Sequence, residues 1–275
     1  MKYENPKIPE GINTTREHPL KEFAILTVGI FGALIIAVFA LGWAAQWAAP
    51  HVPFSYEKEL SQRFFKDQSL DKPNQQIQDW LQQLATRLVA VEGLPPDMDI
   101  TVHYQDDDIV NAFATLGGHV VVHRGLLKEL DSENAVAMVL AHEIAHIKHR
   151  DPIIAAGRGV SIILALTALS GTVGDELAGK VLGNAAILTS LSFSRDQESR
   201  ADEEGLAALF RAYGHVSGAT DLFARLKKSE SSLHQPEFMQ THPGTEGRID
   251  AIKQMARANG WPMNEPEKPL PNFLR

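Results

Sequence analysis

The chain has 275 residues, 44% of them hydrophobic and 22% charged, a net charge of -8 and no cysteine. That length holds one globular domain with a sizeable core plus appendages, and a mildly acidic balance without a basic block argues against nucleic-acid binding. The lack of cysteine excludes disulfides, thiolate zinc sites and cysteine nucleophiles, so any metal site must draw on carboxylates and on the 11 histidines.

Residues 1–22 are polar, carry Pro6, Pro9 and Pro19 and show no period, so they read as a flexible tail. Residues 23–49 contain no charged side chain. At about 1.5 Å per residue, a helix over them is roughly 40 Å long, enough to cross a bilayer with tilt. Trp43 and Trp47 near its end suit the membrane interface. A cleaved signal is the competing reading, but the apolar run is too long and its leader too extended. Residues 23–50 are therefore assigned as a single transmembrane anchor that contacts the lipid bilayer through 23–49. Arg16 and Lys21 lie closer to the span than any cation beyond it. The positive-inside rule then places the N-terminus in the cytoplasm and the body outside it, as for a single-pass protein of a bacterial inner membrane with a periplasmic domain.

Residues 55–92 read as helical, with Ile77, Leu81, Leu84, Leu88 and Val91 at helical spacing. Pro95-Pro96 ends that unit. Alternation predicts strands over residues 100–104, 109–115 and 119–123, with Gly117-Gly118 as a hairpin turn between the last two. A helix opens at Asp131 or Ser132 and runs to about Arg150, where Pro152 stops it. Residues 153–192 are apolar but interrupted by charges and glycines, and read as buried or interfacial helices. Residues 196–227 are helical with a break at Gly214. The prolines of 261–275 predict an extended tail.

The sharpest motif is His142-Glu143-Ile144-Ala145-His146. Positions four apart on a helix share a face, so two imidazoles can grip one ion. Glu143, beside the first of them, is placed to take a proton from the attacking water and pass it to the leaving amine. A catalytic zinc usually has three protein ligands. Glu198 supplies the third in this reading, and Asp202, again four residues on, accepts a hydrogen bond from a ligand histidine. His103, His119, His123, His149 and His215 belong to no constellation and read as surface or packing residues.

These motifs resemble the HtpX/CAAX-prenyl-protease family of zinc metallopeptidases, gluzincins related to the HtpX-like and Oma-like quality-control proteases. The likeness covers roughly residues 95–255. It rests on Asn111-Ala-Phe-Ala114, a glycine turn, Arg124-Gly-Leu-Leu127, the paired histidines, the Glu198, Ala201 and Asp202 pattern, His242-Pro243 and Arg248-Ile249, in the family's order. It implies an α+β, mainly helical, zincin-type domain whose small sheet carries a substrate-binding edge strand at Asn111, Ala112, Phe113 and Ala114. Asn111 is otherwise a turn residue beside three aspartates. His242 stands either as an oxyanion donor or as an inhibitory ligand on the open metal position. Arg248 stabilises the transition state or is a structural partner of an acidic group. The domains expected are a tail (1–22), the anchor (23–50), a metallopeptidase domain (51–260) and a Pro-rich extension (261–275). The expected activity is one-zinc endopeptidase cleavage of unfolded or membrane-associated proteins; the alternatives are a catalytically silent, membrane-tethered chaperone and an interaction protein working through the Pro-rich tail.

Overall fold

The computed structural model describes residues 19–48, 51–67, 74–159, 192–229, 237–242 and 245–274. The readings for residues 1–18 and most of 153–192 fall outside them.

Helix α1 (Pro19–Ala48) begins four residues before the uncharged run and carries Glu22 in its first turn. Of the described helices it alone is long and apolar enough to cross a membrane, with a hydropathy of 2.7 over its most apolar window. The unit read at 55–92 is two helices, α2 (Phe54–Asp67) and α3 (Gln75–Glu92). The reason is local: the Asn74 side chain accepts from the Gln76 backbone N–H and caps a new start, an option that apolar periodicity does not reveal. Gly93, at φ 67°, closes α3.

Three strands follow: β1 (Thr101–Gln105), β2 (Ala112–Thr115) and β3 (His119–His123), in the order β1-β3-β2. β2 and β3 form the antiparallel hairpin that the glycines predict, with Gly117 and Gly118 at φ 75° and 85°. β1 pairs with β3 in parallel, a non-local choice that alternation cannot specify. β2 is shorter than the stretch read at 109–115: Asn111 precedes it, its carbonyl accepting from the His123 N–H at 3.1 Å. Both β1 and β2 are edges. Gln78 and Gln82 of α3 act as a substitute strand for β1, exchanging side-chain hydrogen bonds with Ile100, Val102 and Tyr104 backbone groups at 2.5–3.0 Å. That covers one edge and leaves β2 as the other.

A short helix, α4 (Arg124–Lys128), leads to α5 (Glu133–Lys148), which carries the paired histidines. Ser132 caps α5 by accepting from the Ala135 N–H at 3.1 Å. Residues Glu133 to Ile147 of α5 are all buried, as expected of a helix apolar on every side. α5 ends at Lys148, two residues short of the expected Arg150, which lies at φ 62°, and Pro152 sits in the first turn of the next helix, described over 151–159. α6 (Arg195–Tyr213) starts with a Ser194/Gln197 capping box and stops at Gly214, φ 76°. α7 (Asp221–Ser229), α8 (Glu237–Thr241) and α9 (Thr245–Ala258) complete the helices. One sheet face (Val102, Tyr104, Val120, Val122, Ala112 and Ala114) is at most 3% exposed and joins the core with α3, α5 and α6.

Residues 261–271 hold no helix, in keeping with their prolines, and Asn272–Leu274 close the segment as a 3-10 turn where an extended tail is expected; the whole stretch packs onto the body. The Lys268 carbonyl accepts from the Glu133 N–H at 2.8 Å, a donor that α5 itself cannot satisfy, and Leu270 is buried.

Candidate functional site

α5 and α6 pack so closely that a Cβ on Gly205 would stand 3.0 Å from the His142 backbone nitrogen. Glycine is what lets the two helices bring their side chains together. His142 and His146 project from one face of α5 with rings 4.6 Å apart, and Glu198 and Asp202 project from the facing side of α6. His142, His146, Glu198 and His242 each offer a ligand atom within 4.8 Å of the others, and all four are buried.

Carboxylates set the tautomers. His146 Nδ1 lies 2.9 Å from Asp151 Oδ2, and His142 Nδ1 lies 3.0 Å from Asp202 Oδ1. Each imidazole therefore donates through Nδ1 and turns its Nε2 lone pair inward. The two Nε2 atoms are 3.0 Å apart, and they stand 3.4 and 3.5 Å from Glu198 oxygens. Ligands on a tetrahedral ion with bonds of about 2.0–2.1 Å are roughly 3.3 Å from one another. The donor set thus fits one zinc by chemistry and by spacing. With no cation the same carboxylates favour a proton there: burial opposes charge on His142, but Asp202 and then Glu198 outweigh it and push its pKa up to about 9. Metal and proton compete for one lone pair. Burial also opposes the charge on Glu198, but His242, His142 and His146 hold that carboxylate well below its usual range.

Glu143 is fully buried next to this cluster. Its Oε2 accepts from the Ala114 N–H at 2.7 Å, while Oε1 has no hydrogen-bond partner and lies 3.3 Å from His242 Nε2, also unpartnered. Burial raises the Glu143 pKa although His242 and His142 pull it down, the direction a general base near neutrality needs. His242 Nδ1 is 3.0 Å from Glu198 Oε1 and 3.3 Å from His142 Nε2, so this ring touches both the cluster and Glu143. Phe238 stacks on His242 at 4.6 Å and Phe193 on His146 at 3.9 Å, closing the apolar side.

Arg248 is buried, gripping Asp202 through Nε and Nη2 at 2.8 and 2.7 Å and Glu198 through Nη1 at 2.6 Å. Ala112, Phe113 and Ala114 form β2, and Asn111 precedes it, buried with Oδ1 unpartnered. Asn111 pairs toward β3, so by alternation the backbone groups of Ala112 and Ala114 face away from it, toward the edge that no strand pairs with among the described residues. The Phe238 N–H reaches the Val110 carbonyl at 3.2 Å, so the segment bearing His242 lies against the end of that edge.

Asp151 belongs to none of the sequence motifs. Besides His146 it holds Gln197 Nε2 at 2.7 Å and Arg200 Nη2 at 2.9 Å. Its one signal is an acidic residue just past the helix, five positions after His146, and the turn at residues 149–150 takes it off the helical face of His142 and His146. Several histidines read as isolated have specific partners: His123 with Asp107 at 2.9 Å, His149 with Glu204 at 2.5 Å, and His103 with His119 at 2.9 Å.

The sequence profile of Peptidase family M48 matches residues 74–256. The chain is 31% identical over 212 residues to the mitochondrial metalloendopeptidase OMA1 of Schizosaccharomyces pombe, covering 74% of this chain and 62% of that one. It is 31% identical over 171 residues to the beta-barrel assembly-enhancing protease of Escherichia coli K12, covering 55% and 33%. It is 26% identical over 263 residues to protease HtpX of Haemophilus ducreyi, covering 82% and 90%. The chain spans 62% or less of the length of OMA1 and of the assembly-enhancing proteases. The matched span runs from α3 through α9 and so takes in the strand edge, the paired histidines and the facing carboxylates; this chain belongs to peptidase family M48.

Proposed function

We propose that the chain is a membrane-anchored, zinc-dependent endopeptidase in which His142, His146 and Glu198 hold one zinc ion and Glu143 is the general base. The observation that carries this reading is the pair of Nε2 lone pairs, 3.0 Å apart and aimed inward by Asp202 and Asp151. When bound, zinc supplies a Lewis acid for peptide hydrolysis. Glu143 Oε1 accepts the proton of the attacking water and returns it to the departing nitrogen. Asp202 and Asp151 keep the ligand imidazoles oriented. Arg248 orients Asp202 and neutralises the acidic side of the site. The β2 edge at Ala112 and Ala114 reads the backbone of an extended substrate, so side-chain selectivity there is low. For that pairing, Ala114 exchanges its bond to Glu143 for one to the substrate. Asn111 holds the substrate chain through its free Oδ1.

The substrates in this reading are misfolded or membrane-associated proteins, in line with relatives named for mitochondrial proteolysis and β-barrel assembly. α1 tethers the domain to the bilayer, with the body on the periplasmic side of a bacterial inner membrane. Zinc analysis combined with casein hydrolysis, with and without chelator, tests the proposal. A zinc-free protein, or hydrolysis indifferent to chelator, would sink it.

A latent resting state is the second reading, favoured by His242 Nδ1 lying 3.3 Å from His142 Nε2 and 3.0 Å from Glu198 Oε1. As a resting ligand, His242 makes His242→Ala more active. As a donor to the oxyanion, it makes the variant slower by about 10²-fold at little change in KM.

A further inference from the structure

Helix α2 precedes residues 74–256, the span that the family profile matches, and it is built into the body. Phe54, Glu57 and Ser61 are 1%, 2% and 1% exposed, one face of the helix turned inward. The Gly117-Gly118 turn rests on that face, so close that a Cβ on Gly117 would meet Ser61 Oγ at 2.3 Å. Glu57 Oε2 accepts from the Gly117 N–H at 3.2 Å. Glu57 Oε1 accepts from Arg150 Nε at 2.7 Å and lies 2.6 Å from Arg150 Nη2. The same Nη2 donates to the Val52 carbonyl at 2.8 Å, and the guanidinium sits over the Phe54 ring.

Arg150 is the single non-glycine residue at positive φ among the described residues, at 62°. Such a backbone costs free energy and persists where the surroundings over-determine it. Its consequence is visible one residue on. The chain turns at residues 149–150 after α5, and Asp151 stands 2.9 Å from His146 Nδ1. A buried guanidinium without its carboxylate partner is strongly disfavoured, so losing Glu57 drives Arg150 toward water and releases the turn.

We propose that Glu57 and Arg150 are positioning residues of the metal centre: their buried pair holds the left-handed turn that sets Asp151 on His146, which makes α2 a working part of the centre. The inference rests on reading this centre as a zinc site. A merely structural staple between α2 and α5 would lower stability without a specific effect on the His146 ligand.

The test uses the full chain in detergent, with zinc affinity measured by chelator competition and the visible spectrum of the cobalt-substituted protein as a report on the ligand field. Wild type comes first; failure to bind zinc there removes the zinc-site reading itself, and this inference with it. With wild type binding, Glu57→Gln weakens zinc by about 10-fold and Asp151→Asn by about 10- to 100-fold. Because Glu57 acts through Asp151, the double variant is no weaker than Asp151→Asn by more than about twofold. Arg150→Ala loses affinity, while Arg150→Gly, free to adopt the same backbone, recovers most of it and restores the cobalt spectrum. That Ala/Gly contrast decides the matter even where Glu57→Gln fails to fold. Additive losses in the double variant, or equal affinities for Arg150→Ala and Arg150→Gly, overturn the proposal.

Discussion

At Glu143, an amide keeps the shape of the side chain and removes its capacity to take a proton. Glu143→Gln is expected to lose about 10²-fold or more in turnover with zinc retained; near-normal turnover would assign the base elsewhere. Glu198→Ala leaves two histidines, and zinc content and activity are expected to fall together. Asp202→Ala removes the group behind His142 and one partner of Arg248 but no ligand, for an expected loss of about 10- to 100-fold in affinity. Equal losses in the two variants, read by metal analysis, would make Asp202 a ligand in its own right. Glu92 offers a separate test. It is 4% exposed, neither carboxyl oxygen has a hydrogen-bond partner, and burial holds its pKa well above the usual value even though Lys148 pulls it down. Both states keep the proton in strong acid. As pH rises past the unfolded value, the unfolded chain ionises first, so stability drains away toward neutrality. Glu92→Gln should therefore unfold at a higher temperature than wild type at pH 7 and at a similar one near pH 4. Thermal melts showing no pH dependence in that difference would mean that Glu92 ionises in the fold.

At the scale of elements, the decisive contact is between α5 and α6. Gly205 has no room for a side chain against the His142 backbone, so Gly205→Val must push the helices apart. The expected cost is about 1–3 kcal/mol of stability, with weakened zinc binding because Glu198 and Asp202 move with α6. Melting temperature and chelator competition measure the two effects; wild-type values for both would place the slack elsewhere. The sheet shows the same division of labour. The glutamines of α3 occupy the β1 edge, and among the described residues no strand pairs with the other edge, next to Glu143.

For the whole molecule, the apolar α1 makes a direct prediction. An integral anchor is held by burial rather than charge, so the full chain should stay in the membrane pellet through an alkaline carbonate wash, and residues 51–275 alone should be soluble. Recovery of a free chain beginning near residue 50 would identify a cleaved signal instead. The C-terminal extension, one reading of which made it a free interaction segment, is engaged within the molecule: it supplies the Lys268 carbonyl to α5 and buries Leu270 in the core.

What could be read without a fold is what local spacing determines. The 3.6-residue period puts His142 over His146 and Glu198 over Asp202, glycine pairs make the hairpin turn, prolines keep 261–271 out of helix, and an uncharged run makes α1. Residues far apart in the chain have no such rule. Only the tertiary structure places His242 within 3.3 Å of His142 across a hundred residues and makes Arg248 the partner of both Glu198 and Asp202. It also pairs β1 with β3 in parallel, and joins Glu57 to Arg150 across 93 positions. Asp151 lies between the two cases. It is close in sequence to His146, but only the left-handed backbone at Arg150 turns it back, and that conformation is selected by packing against α2 rather than by any preference of arginine.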